Sequence, residues 1–119
     1  MSGTYEDLEV WQAAVELTVQ IYHLTENFPR HETYGLTSQM RRAAVSVASN
    51  IAEGKGRASD RELAQFLRLS RGSVFELETQ LAICRRLGYG TEGDCAATKK
   101  DLARVGQMLN GLIRSVRAA

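Results

Sequence analysis

Gln39-Met40-Arg41-Arg42-Ala43-Ala44-Val45-Ser46-Val47-Ala48-Ser49-Asn50-Ile51-Ala52-Glu53-Gly54 is the stretch whose reading decides the fold. Counting from Leu36, the residues Met40, Ala43, Val47 and Asn50 recur at alternating steps of four and three, with Ala44, Ala48 and Ile51 widening the same face. Such spacing lays apolar side chains along one side of a helix. A stripe of this width is buried only when other helices cover it. An Asn enters the seam, a Glu follows one turn later, and Gly54 stands where a C′ residue of positive φ is expected to end the helix.

Outward from this stretch the same step repeats. Before it, Val10, Ala14, Leu17, Ile21, Leu24 and Phe28 form a heptad-type seam, and Leu8, Trp11, Val15 and Tyr22 add a second stripe that lets the helix touch more than one neighbour. Thr4-Tyr5-Glu6-Asp7 approximates a capping box at its start, and Pro29 stops it. After it, Ser59-Asp60-Arg61-Glu62 is a full capping box for a third helix. The seam of that helix passes through Leu63, Phe66, Ser70, Val74, Leu77, Leu81 and Cys84 to a capping Gly88. A fourth helix opens at Thr91-Glu92-Gly93-Asp94 and carries Leu102, Val105, Leu109, Leu112 and Val116. The expected helices are 6–28, 32–53, 60–87 and 92–117, within one domain. No alternating run suggests a strand. Long helices joined by short loops predict an all-α, antiparallel up-down-up-down four-helix bundle. The 3.5-residue step predicts a left-handed one.

Composition narrows the function class. The chain has 119 residues, 44% of them hydrophobic, and a single proline. That is enough for one core and does not resemble a disordered sequence. No apolar run approaches the ~20 residues of a membrane span. The acidic N-terminus lacks the apolar core of a signal peptide, so a cytoplasmic protein without a membrane partner is expected. Cys84 and Cys95 are expected as free thiols, Cys84 as a small hydrophobe on a helix face. Net charge is +1 and unevenly spread. Residues 1–28 hold acids and no Lys or Arg, whereas Lys99, Lys100, Arg104, Arg114 and Arg117 crowd the last stretch beside the single acid Asp101.

Three groups of residues are candidate sites. Asn50 in the seam needs a hydrogen-bond partner or costs roughly 1–3 kcal/mol. Glu53 sits at a helix end where the dipole disfavours an acid, so a cation should face it. Asn50, Glu53, Arg68 and Arg71 are therefore expected as a polar network that pins the second helix to the third, or as a binding site at the bundle end. Gly72 inside a helix costs up to ~1 kcal/mol against Ala. With Ser73 it marks a close helix approach, within the bundle or between subunits. Trp11, Val15 and Tyr22 are the matching candidates for a subunit contact. Arg41, Arg42, Lys55, Arg57 and Arg61 can meet phosphates, yet acids interleave with them and no aromatic residue does. Ion-paired surface is the other reading of these cations. Catalytic patterns are missing: no Glu-x-x-His, Cys-x-x-Cys or His-Glu-x-x-His occurs. Gly54-Lys55-Gly56 follows a helix rather than the strand a phosphate loop needs. No enzyme, cofactor or metal is expected.

Tyr5-Glu6-Asp7-Leu8-Glu9-Val10-Trp11-Gln12-Ala13, Phe28-Pro29-Arg30-His31-Glu32-Thr33-Tyr34-Gly35-Leu36, Gln39 to Ala44, Ser49-Asn50-Ile51-Ala52-Glu53-Gly54, Arg71-Gly72-Ser73 and Glu76 to Leu81 are specific as a set. Together they resemble the bacterial four-helix bundle proteins associated with intervening sequences in 23S ribosomal RNA genes. The resemblance spans residues 5–90. It implies a four-helix bundle assembling as a homopentamer, with no established catalytic activity. It leaves two functions: a non-enzymatic scaffold for RNA or a nucleic-acid-binding protein, or a protein–protein adaptor without nucleic acid.

Overall fold

Four helices account for most of the chain in the computed structural model, which describes residues 3–118. They are α1 (Glu9–Thr25), α2 (Leu36–Lys55), α3 (Asp60–Arg86) and α4 (Glu92–Ala118), and among the described residues there is no strand. A 27-residue helix is about 40 Å long. The longest dimension of the molecule, 45 Å against 23 and 20 Å across, is therefore set by α3 and α4. The helices neighbour each other in chain order, and α4 returns to α1, while α1 and α3 stand diagonally across the core with no Cα atoms within 8 Å of each other.

Each helix buries the seam its sequence carries. Leu17, Ile21, Met40, Val47, Ile51, Leu67, Leu77, Leu102 and Leu109 are all fully enclosed in one core. Full burial of each such side chain contributes roughly 1.5–3 kcal/mol. Along the α2–α3 seam, Ser70 donates to the Val47 carbonyl at 2.7 Å and Gly54 lies against Leu63 and Phe66, so numbers rise along one helix as they fall along the other.

Helix ends differ from the sequence reading in four places. α1 stops at Thr25, with Glu26 as its C-cap, rather than running to Phe28 and being ended by Pro29. The Thr4 box forms, with the Asp7 carboxylate accepting from the Thr4 amide, but it closes a 3-10 turn over Tyr5–Asp7. Leu8 is extended, at φ −79° and ψ 123°, and α1 begins only at Glu9. A second 3-10 turn, Arg30–Glu32, follows Pro29, so α2 starts at Leu36. Gly54 is no left-handed cap. It lies inside α2, and among the described residues only Gly88 and Gly90 have positive φ, at 76° and 74°. Gly54 is needed for proximity instead, because a Cβ there would stand 2.8 Å from the Cβ of Phe66. The Ser59 cap and the Gly88 cap are as expected. Ser59 accepts from the Glu62 amide. Tyr89 donates to the Cys84 carbonyl and Gly88 to that of Arg85, which is a Schellman closure.

Candidate functional site

The expected network of Asn50, Glu53, Arg68 and Arg71 does not assemble. Asn50 is half-buried at the edge of the seam, where its amide donates at 2.9 Å to both the carbonyl and the hydroxyl of Ser46, one turn back on its own helix. Glu53 is taken by Arg57 at 3.0 Å, also one turn away and exposed. Ser70 and Ser73 face α2, so at about 100° per residue Arg68 and Arg71 fall on the α4 side of α3. There Arg71 donates to Asn110 Oδ1 at 3.1 Å. Small hydroxyls make the polar link between α2 and α3: Ser73 donates to Ser46 Oγ at 3.0 Å, and the buried Ser70 donates to Val47. Serine on both sides of a closely packed pair was the available signal, hidden by the larger Asn. Gln80 Oε1, also on α3, is a buried side-chain oxygen without a partner.

Gly72 does not mark the close helix approach within the bundle. It is exposed, and a Cβ added there would meet nothing within 4 Å. Ser73 beside it does sit in the α2–α3 contact. Gly72 belongs to the outward side of α3 with Leu69, Ile83 and Leu87, which are 57%, 45% and 54% exposed.

A second apolar face lies across the α1–α2 seam. Trp11 and Val15 are half-buried there, Tyr22 and Val19 are exposed, and Val45 continues the face onto α2. Trp11 is held by an edge-on Tyr5 ring at 5.1 Å. Arg41 completes this face rather than projecting from it. Its guanidinium lies 4.6 Å over the Tyr22 ring, and its Nε donates to Thr25 Oγ1 at 2.9 Å. Val19 completes the second stripe, four residues after Val15 and three before Tyr22, and the sequence reading passed over it; Val45 escaped because it stands off the periodic seam of α2.

The five cations proposed for phosphate contact do not form one patch. Arg41 is engaged as described. Arg42 lines a groove between α2 and α3 with Gln39 and Glu76. Lys55 is half-buried at the far end of α2. Arg57 is paired with Glu53 and lies 4.8 Å over Phe66. Arg61 opens into a different groove, of about 410 Å³, shared with Arg68 and Arg117.

At the opposite bundle end, two connections are tied together by side chains. Glu32 accepts from the Leu36 amide at 3.1 Å and from Tyr89 OH at 2.9 Å, with His31 Nε2 3.3 Å from the same hydroxyl. The Leu36 amide, and then the Tyr89 hydroxyl, hold the Glu32 carboxyl below its ordinary value. The same bond pushes the Tyr89 phenol up. Behind Tyr89 lie Cys84 and Cys95, both buried free thiols. Burial, reinforced by the Cys95 thiol, raises Cys84 to about 12, and burial raises Cys95 too, so neither is a ready nucleophile. Among the described residues no group of three His, Cys, Asp or Glu side chains could hold a metal. Among the described residues no helix is long and apolar enough to cross a membrane.

Comparison with known proteins is consistent with this picture. No curated protein matches the chain. A protein of unknown function from the S23 ribosomal protein family of Bacteroides thetaiotaomicron has a crystal structure that superposes with a TM-score of 0.79. It shares 21% identity, over 88% of this chain and 95% of that one, and at this identity the likeness bears on the fold alone. The model of the family described as 23S rRNA-intervening sequence protein matches residues 6–111. With that match over most of its length, the chain belongs to the 23S rRNA-intervening sequence protein family.

Proposed function

We propose that this chain is a non-enzymatic, cytoplasmic building block whose up-down-up-down, left-handed bundle assembles into a homo-oligomeric ring. The ring, a pentamer on the resemblance described above, serves as a scaffold for RNA or a ribonucleoprotein partner. The observation that carries the assembly is the pair of unlike apolar faces. The α1–α2 face presents Trp11, Val15, Val19, Tyr22 and Val45, and the outward side of α3 presents Leu69, Gly72, Ile83 and Leu87. Large apolar side chains left exposed on one side of a helix are candidates for an association site. Two different faces on different sides of the bundle suit a head-to-tail contact, which closes into a ring when the rotation allows. A two-fold dimer would use one face twice.

Size-exclusion chromatography with light scattering at micromolar concentration tests the assembly. A closed species of five protomers is the expected result, and a monomer overturns it. Pull-down from native lysate, with bound RNA and bound protein both sequenced, tests the scaffold reading. Recovery of protein partners without RNA turns the conclusion to the adaptor function instead.

A further inference from the structure

We infer that the groove between α3 and α4 is a binding track for a single-stranded polynucleotide, with Phe75 as the surface on which a base stacks. This deepens the RNA-scaffold reading by naming the site and the form of the ligand. Three cavities follow one another along this groove. The first, about 410 Å³, holds Arg61, Arg68 and Arg117 over a floor of Ala64 and Val116. The second, about 250 Å³, runs between Phe75 and Gly106, with Arg71 at its side. The third, about 110 Å³, adds Arg85 and Lys99. From Arg61 to Arg85 the track covers 24 residues of one helix, or about 36 Å.

Charge decides between occupants. Six cations line the track against two carboxylates, Asp60 and Glu78. Arg85 is paired with Glu92, and Arg71 is held by Asn110. Among the described residues, no carboxylate lies within ion-pair distance of Arg61, Arg68 or Arg117. Unpaired guanidiniums in a row suit phosphates spaced along a backbone. Ala64, Val74, Leu81 and Leu102 give the track an apolar floor that an amphipathic helix could also use, and it is the row of cations that favours a polyanion.

Phe75 selects the form of the polynucleotide. It is 58% exposed, halfway along the track, and Gly106 opposite it projects no side chain across the groove. A flat, exposed ring between cations is the arrangement that holds unpaired bases without reading their identity. A duplex keeps its bases stacked on each other and gains nothing from such a ring. In the linear sequence the pattern is invisible, because Arg117 comes from the far end of the chain and Phe75 reads as one more apolar residue near the helix-three seam.

Fluorescence anisotropy with a labelled 20-nucleotide single-stranded RNA, the same sequence as DNA, and the RNA duplex tests the inference on the intact assembly. Both single strands are expected to bind, more tightly than the duplex, with affinity falling steeply as salt rises. Phe75→Ala should weaken single-strand binding about tenfold or more, and Phe75→Tyr should restore it. Arg61→Ala and Arg68→Ala should each lower the salt slope by about one, whereas Arg42→Ala, outside the track, should leave it unchanged. Light scattering on every variant keeps assembly separate from binding. If RNA binds but these substitutions have no effect, or if the duplex binds as tightly as the strand, the groove assignment is overturned while RNA as a partner stands. If no polynucleotide binds at low salt, both are overturned.

Discussion

A Cβ at Gly54 would approach the Cβ of Phe66 to 2.8 Å, the Leu63 Cδ1 to 3.1 Å and the Leu63 carbonyl oxygen to 3.3 Å. Two of these three atoms belong to backbone or to the rigid base of a side chain, so the helices themselves would have to part. Overpacking of this kind costs about 1–3 kcal/mol, against a gain of up to ~1 kcal/mol in helix propensity. Gly54→Ala should therefore lower the melting temperature by several degrees in a circular dichroism melt. Gly106→Ala should not, because its nearest atom is Val74 Cγ1 at an ordinary 3.7 Å. A melt in which Gly54→Ala is as stable as the parent protein would mean that α2 and α3 do not pass this closely. The sequence reading recognised that some glycine marks a close approach but assigned it to Gly72. Spacing along one helix cannot tell an inward glycine from an outward one when the helix has apolar residues on both sides, as α3 has with Val74 inside and Leu69 outside.

Element by element, helix existence was legible and helix ends less so. Caps that rest on one local bond, such as Ser59 to Glu62 and Gly88 in the left-handed region, were readable because they need nothing from the rest of the fold. The start of α2 was not, because its first amide, that of Leu36, is satisfied by Glu32 after an intervening 3-10 turn, and Glu32 is held in turn by Tyr89 from the α3–α4 connection. This tie has a pH signature. The folded-state value of Glu32 lies below its ordinary 4.5, so its contribution is complete above that value and is lost as pH falls through the lower folded one. Melting temperature measured from pH 6 to pH 3 should show the parent protein losing its advantage over Glu32→Gln below about pH 4.5. Parallel curves across that range would remove Glu32 from the stability of this end. His31 stays at the rim, 73% exposed, and is not needed for the tie.

For the whole molecule, the unlike faces lead to a test that a count of subunits cannot provide. A charged residue at Leu69 or Ile83 should spoil only the α3 face, and one at Val19 or Val45 only the α1–α2 face. All four side chains are between 43% and 57% exposed, so the protomer loses little by the change. Helix content and melting behaviour of the separated protomers should thus remain close to those of the parent chain. Each double variant, Leu69→Lys/Ile83→Lys or Val19→Lys/Val45→Lys, should run as a monomer. If contact is head to tail, each still carries one intact face, and the two intact faces are complementary. Mixing the two variants should then give a one-to-one dimer and stop there, because the remaining faces on that dimer are both spoiled. A two-fold contact predicts otherwise: the variant whose faces are spared would dimerise with itself before any mixing. Mixed and unmixed samples compared by light scattering separate these outcomes, and a pair of variants that stays monomeric on mixing would show that the two faces do not meet. The sequence reading identified Trp11, Val15 and Tyr22 as one side of such a contact through their second stripe. Of the other side it named only Gly72; Leu69, Ile83 and Leu87 stayed hidden because they follow no seam of their own, and only the placement of α3 at a corner of the bundle turns them outward together.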